Sequence, residues 1–190
     1  MLAASLLLKK KVTASGGTAF SPTMKSAGAT LSNNNKTATF ASTGGPSAFT
    51  TNSHSSGKWY FEVLIVQPNG PYTPLIGLAS ISTTYNQPWT SSGELLWYGS
   101  GPQLIFGANS RIGYSSFTTG NVIGVAVDLD AKLLVFYRDG VAMTSVNLTS
   151  YVPGVSSFWG CAADPYGSVQ SSIVKIPDTF QYMPSGYSVW

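Results

Sequence analysis

The chain holds one histidine, one cysteine and seven acidic residues, so catalytic chemistry has few places to sit. His54 lies in a Ser-rich stretch with Asn52, Ser53 and Ser55. A Ser–His–acid triad needs only one histidine, so the count alone does not forbid it. No nucleophile-elbow pattern occurs, however, and His54 reads as an exposed turn histidine. The acids Glu62, Glu94, Asp128, Asp130, Asp139, Asp164 and Asp178 are scattered, and a glycosidase-type carboxylate pair would form only if the fold assembled it. Asp128 and Asp130 lie two apart beside a turn; they are expected to cap it or to pair with Lys132 or Arg138. A calcium site would need more converging oxygen ligands than this segment provides. Cys161 sits between Trp159-Gly160 and Ala162-Ala163 and reads as a buried small hydrophobe. One cysteine excludes an internal disulfide and makes a cysteine-ligated metal site implausible. The expectation is a non-enzymatic protein without metal or cofactor.

Binding is the better-supported chemistry. Tyr72, Tyr85, Trp89, Tyr98 and Tyr166 stand among Pro, Gly, Asn and Ser, where a local core is not expected. Tyr and Trp anchor interfaces and stack on sugar rings, so these five form a candidate loop surface. The plainer reading is that about half of them cover the ends of the fold. A second candidate is the N-terminal segment 1–17, with Leu2, Leu6, Leu7 and Leu8 followed by Lys9, Lys10 and Lys11 and a Ser/Gly joint. It is either a frayed terminus or an arm that inserts leucines into a partner with lysines at the rim. It is too short to make a strong membrane-surface helix.

The net charge of +3 belongs to this segment and its neighbourhood. From residue 37 onward five basic residues face seven acidic ones, a net of −2, so no cationic stripe for nucleic acid is expected. No run approaches a membrane span, and lysines after the apolar residues invert a secretory signal. Charged residues are only 9%, against about a quarter in ordinary soluble domains. Such a Ser/Thr/Asn/Gly surface suits an extracellular or particle-borne all-β protein whose surface neighbours partly cover.

The elements are short strands. Residues 123–129 and 133–137, joined by the polar break Asp130-Ala131-Lys132 and followed by a second turn at Arg138-Asp139-Gly140, form a hairpin nearly apolar on both faces and therefore expected at the centre of a sandwich. Residues 58–66 alternate, with Trp59, Phe61, Val63 and Ile65 on one face and Tyr60, Glu62 and Leu64 on the other. Further strands are expected at 29–32, 37–40, 47–50, 75–79, 95–98, 104–106, 141–148, 155–163 and 173–176. No amphipathic 3.6-residue pattern of useful length appears, so helices should be few or absent. The class is all-β: an antiparallel two-sheet β-sandwich, with residues 1–17 as an arm and 18–190 as the domain.

With strands placed, the sequence resembles a SPRY domain, the core of the B30.2 family. The residues that carry this are Ser56-Gly-Lys-Trp-Tyr-Phe-Glu-Val63, Ile76-Gly-Leu-Ala79, Gly120-Asn-Val-Ile-Gly-Val-Ala-Val-Asp-Leu-Asp130, Leu134-Val-Phe-Tyr-Arg-Asp-Gly140 and Phe180-Gln-Tyr-Met-Pro-Ser-Gly-Tyr187. Arg138 stands where Asn or Lys would be expected. The chain is most similar to SPRY domains of tailed-bacteriophage structural proteins. The resemblance implies a bent, concanavalin-like jelly roll that binds proteins through its loops without catalysis. The expected role is a virion structural protein on capsid or tail, partnered by other virion proteins and forming a homo-oligomer in the particle. The alternatives are a receptor-binding module for a host surface glycan or protein, and a host-directed interaction module.

Overall fold

The computed structural model describes residues 12–13, 17–41, 44–80, 85–107, 110–165 and 171–190. In chain order the first strands are β1 (Val12–Thr13), β2 (Phe20–Lys25), β3 (Ala29–Ser32), β4 (Thr37–Phe40), β5 (Ser47–His54) and β6 (Lys58–Gln67). Next come β7 (Leu75–Ala79), β8 (Glu94–Tyr98), β9 (Gln103–Phe106), β10 (Ser110–Gly113), β11 (Val122–Asp128) and β12 (Leu133–Arg138). The last are β13 (Val141–Ala142), β14 (Val146–Asn147), β15 (Phe158–Ala163), β16 (Ser172–Lys175), β17 (Thr179–Phe180) and β18 (Ser188–Val189). Among the described residues the helical pieces are a 3-10 turn, Pro88–Thr90, and α1 (Leu148–Tyr151).

Two sheets pack face to face. One runs β10-β9-β8-β7-β15-β5-β2, and the other β13-β12-β11-β6-β16-β4-β3, with β14 beside β12 and β18 beside β6. Every pairing is antiparallel except β18 on β6. The expected hairpin is β11–β12, registered from Ile123 opposite Arg138 to Asp128 opposite Leu133. It holds a central place because β6 pairs along its other edge. Beyond β12, Asp139 and Gly140 form the two-residue turn into β13, and both have positive φ (50° and 76°), as a tight hairpin turn requires. The side chains between the sheets include Phe61, Val63, Ile76, Leu78, Trp97, Val125 and Phe136, all at most 1% exposed.

Both sheets are also covered on the outside. On the seven-stranded sheet Phe49, Leu75, Leu96, Tyr98, Ile105 and Cys161 form a second apolar cluster, onto which Trp89 folds. On the other sheet Tyr60 packs edge-on against Phe180 (5.8 Å) and Tyr137 (6.2 Å). Beside it the Glu62 carboxylate is fully buried. It accepts from the Tyr60 hydroxyl (3.0 Å) and from the backbone N–H groups of Gln181 (3.0 Å) and Tyr182 (2.6 Å). Burial raises the Glu62 pKa against the opposing pull of these three bonds. The C-terminal segment is thereby strapped over the sheet, and β1 pairs with β17 within it.

Several elements differ from expectation. β2 lies at a sheet edge, where Pro22 is tolerated, and its burial runs from buried to exposed to half-buried in pairs, so no alternation marks it. β10 is an edge strand exposed throughout. The expected strand 141–148 is instead β13, β14 and the start of α1, because the Asn147 side chain accepts from the Ser150 N–H (3.2 Å) and caps a helix.

Candidate binding cleft

Three connections converge where β6, β8 and β12 end: residues 68–74, 99–102 and 114–121. Each is fixed by polar bonds. Thr73 and Ser100 clamp one another, each hydroxyl accepting the other's backbone N–H at 2.9 Å. Asn69, fully buried, donates through Nδ2 to both oxygens of the buried Asp164 (3.3 Å), which also accepts from Ser172 Oγ (2.7 Å). The buried Trp97 indole donates to the Ser115 carbonyl at 2.6 Å and packs edge-on against Phe117 at 4.9 Å. A Cβ on Gly99 would lie 2.5 Å from the Phe117 ring, so that position requires glycine. Asn121 is bound to Asp139 (Nδ2 to Oδ2, 2.6 Å) and accepts the Thr118 N–H (2.8 Å). Arg138 donates to the Ser116 carbonyl.

Between these loops lies an open cleft of about 380 Å³, bordered by Pro68, Pro71, Ser100, Phe117, Thr118 and Arg138. Its borders include the Pro68 and Pro71 rings, the buried Phe117 and loop backbone held by hydrogen bonds at Thr73, Ser100 and Thr118, so the opening is held by its frame rather than filled. Such a site can receive part of a partner with little ordering of its own loops.

The candidate aromatic residues do not form one surface. Trp89 is 8% exposed and Tyr98 5%, so neither is available as a loop anchor. The reason is the apolar outer face of the seven-stranded sheet: covering it removes more carbon surface from water than leaving Trp89 free would allow. Trp89 and Tyr98 border a small cavity of about 50 Å³ with Arg111 and Pro165. Tyr72 is half-buried against the same cluster. Tyr85 is 40% exposed, its ring 5.4 Å from Phe49. Tyr166 and the arm residues Leu2, Leu6, Leu7, Leu8, Lys9, Lys10 and Lys11 lie outside the described residues.

His54 is not an exposed turn residue. It ends β5, stacks on Trp59 (3.6 Å, 13°) and meets Trp190 edge-on (4.8 Å). Its Nε2 is buried without a hydrogen-bond partner, and burial lowers its pKa. Asp128 caps the hairpin turn by accepting from the Ala131 N–H (2.9 Å) but pairs with Lys58 (3.0 Å), not with Lys132 or Arg138. Asp130 accepts from the Gly57 N–H (3.1 Å). Cys161 is 1% exposed, and burial pushes its thiol up, first by desolvation and then through Glu94. Among the described residues no three His, Cys, Asp or Glu side chains gather as a metal site, and no helix is long and apolar enough to cross a membrane.

The frame around the cleft is that of SPRY domains. The SPRY domain of human HERC1 is similar with a TM-score of 0.70 and 19% identity, covering 83% of this chain and 96% of that one. The TRIM65 PSpry domain gives 0.65 and 11%, covering 85% and 92%. A human SPRY domain gives 0.61 and 15%, covering 80% and 95%. At these identities the likeness establishes the fold alone: the chain is a β-sandwich of the SPRY type. No protein-family model matches the sequence, and no curated protein matches it.

Proposed function

We propose that the chain is a non-enzymatic virion structural protein of a tailed bacteriophage, a SPRY module joined to capsid or tail by its N-terminal arm. In this reading the loop cleft is a second surface, turned toward a protein partner, and the module is a homo-oligomer in the particle. The single observation that carries the interaction role is the cleft, about 380 Å³, framed by loops already clamped in place. The particle setting rests on a 9% charged composition and on the leucine-lysine pattern of residues 6–11. Mass spectrometry of purified particles tests it: the protein is expected at a stoichiometric level. Deleting residues 1–16 is expected to abolish incorporation while the purified domain still folds. Absence from particles would favour a host-directed interaction module.

A second reading, recognition of a host surface glycan or protein, is favoured by the exposed Tyr85 ring. Glycan-array and cell-binding assays of wild type and Tyr85→Ala test it. Trp89→Ala is a poor probe, because Trp89 is buried.

A further inference from the structure

We infer that the cleft receives an acidic side chain from an extended peptide segment of a partner protein, with the Arg138 guanidinium as its counter-ion. This rests on the reading of the cleft as a partner surface.

Arg138 ends β12 half-buried at the cleft wall, and its hydrogen bond goes through Nη1 to the Ser116 carbonyl. A guanidinium carries five N–H donors in a planar fork shaped for a carboxylate, so most of its donors remain for another group. The acid beside it in the chain does not serve. Asp139 turns its two oxygens to Asn121 Nδ2 (2.6 Å) and to the Val122 N–H (2.8 Å). Arg138 takes no part in the ion pairs Lys36–Asp178 and Lys58–Asp128. No acid is among the described residues that border the cleft. Among the described residues its walls therefore present one cation and no acid, together with proline rings and serine and threonine hydroxyls; the Asp139 carboxylate, bound to Asn121 and the Val122 N–H, lies outside that lining.

The same walls favour a peptide over a sugar. Sugar rings bind by stacking on open aromatic faces, but the one aromatic among the described residues bordering the cleft, Phe117, is 3% exposed. Gly70 leaves the main chain of its loop exposed, with nothing within 4 Å of where a Cβ would sit, so a partner backbone can lie close.

The test is selection of a randomised 12-residue peptide display library on the full chain, followed by affinity measurements with the enriched peptides. Enriched peptides are expected to carry Asp or Glu at one fixed position. Changing that residue to Asn or Gln is expected to weaken binding about 10- to 100-fold, the range for a hydrogen-bonded charged group. Arg138→Gln should weaken the acidic peptide by a similar factor and leave the amidated peptide unchanged. Because Arg138 also holds Ser116, the peptide-side change is the cleaner measurement: it leaves the protein untouched. Peptides that bind at the cleft without an acid, or whose affinity ignores the acid-to-amide change, would overturn the carboxylate assignment and keep the partner surface. Failure to enrich any peptide, or enrichment that Phe117→Ala and Thr73→Val leave unaltered, overturns both. Binding of acidic glycans that depends on Arg138, with no peptide enriched, overturns the peptide class.

Discussion

The two ends of the sandwich are built by different means. At the end where β5 and β6 meet, the space is filled: His54 lies on Trp59, and Trp190 closes against both His54 and Phe61. The Trp190 indole donates to the Asn52 carbonyl (3.0 Å), and the Leu129 N–H donates to the Gly57 carbonyl (2.9 Å). At the opposite end, hydrogen bonds between loops hold an opening of about 380 Å³. Area removed from water is non-directional and stabilises most where no gap remains. Directional bonds fix backbone positions without occupying the space between them. One end thus carries stability and the other carries geometry, and the two should respond separately to substitution.

The largest expected effect is at the filled end. Trp190→Ala should lower unfolding free energy by about 3–5 kcal/mol, as for other buried tryptophans, in urea titration. Cleft binding by the folded fraction should stay unchanged; a parallel loss of binding would show that the ends are coupled. Next comes the Thr73→Val, Ser100→Ala pair, expected to cost about 1–3 kcal/mol because two part-buried hydrogen bonds, about 0.5–1.5 kcal/mol each, are lost. Amide exchange should rise in residues 68–74 and 99–102 and stay level at β5 and β6, and peptide affinity should fall. Uniform exchange across the domain would contradict a local clamp.

A smaller effect follows from His54. Burial holds its pKa below 6.5, so the unfolded chain binds that proton more tightly. Its contribution is complete above pH 6.5 and is lost as pH falls through the lower folded-state value. His54→Phe keeps a ring against Trp59 and should flatten stability over that window in denaturation curves taken at each pH. Glu62, whose pKa is raised from 4.5, acts in the opposite sense nearer the carboxylate range, where stability grows as pH falls. The smallest change expected is Lys58→Met, since the Lys58 side chain is 52% exposed and its pair with Asp128 is screened; the thermal midpoint should not move measurably.

Strand positions were readable because the sheet cores impose period-two patterning, as at 58–66, and because Asp139-Gly140 is a turn signal with a mechanism. Edge strands such as β2 and β10 were not, since the burial of β2 does not alternate and β10 is exposed throughout. Of the cleft, only the Pro/Gly-rich loop 67–74 and the unusual Arg138 were visible. The reciprocal Thr73–Ser100 bonds and the Asn69–Asp164 contact join residues 27 and 95 positions apart, and nothing local in a Ser/Thr-rich chain distinguishes them. Trp89 misled for a related reason. The face it covers is contributed by five separate strands, and only the folded sheet gathers them.

The bond from the Thr18 hydroxyl to the Trp190 carbonyl, 2.7 Å across 172 positions of chain, brings the two extremities of the described domain together. A short Gly/Ser joint between Trp190 and Gly17 would turn the domain into a ring with almost no span to bridge. The ring could be reopened at the exposed Gly154, away from the clamped loops. A circularly permuted chain of this kind should keep the cleft intact, and a host protein could carry the whole module as an inserted loop.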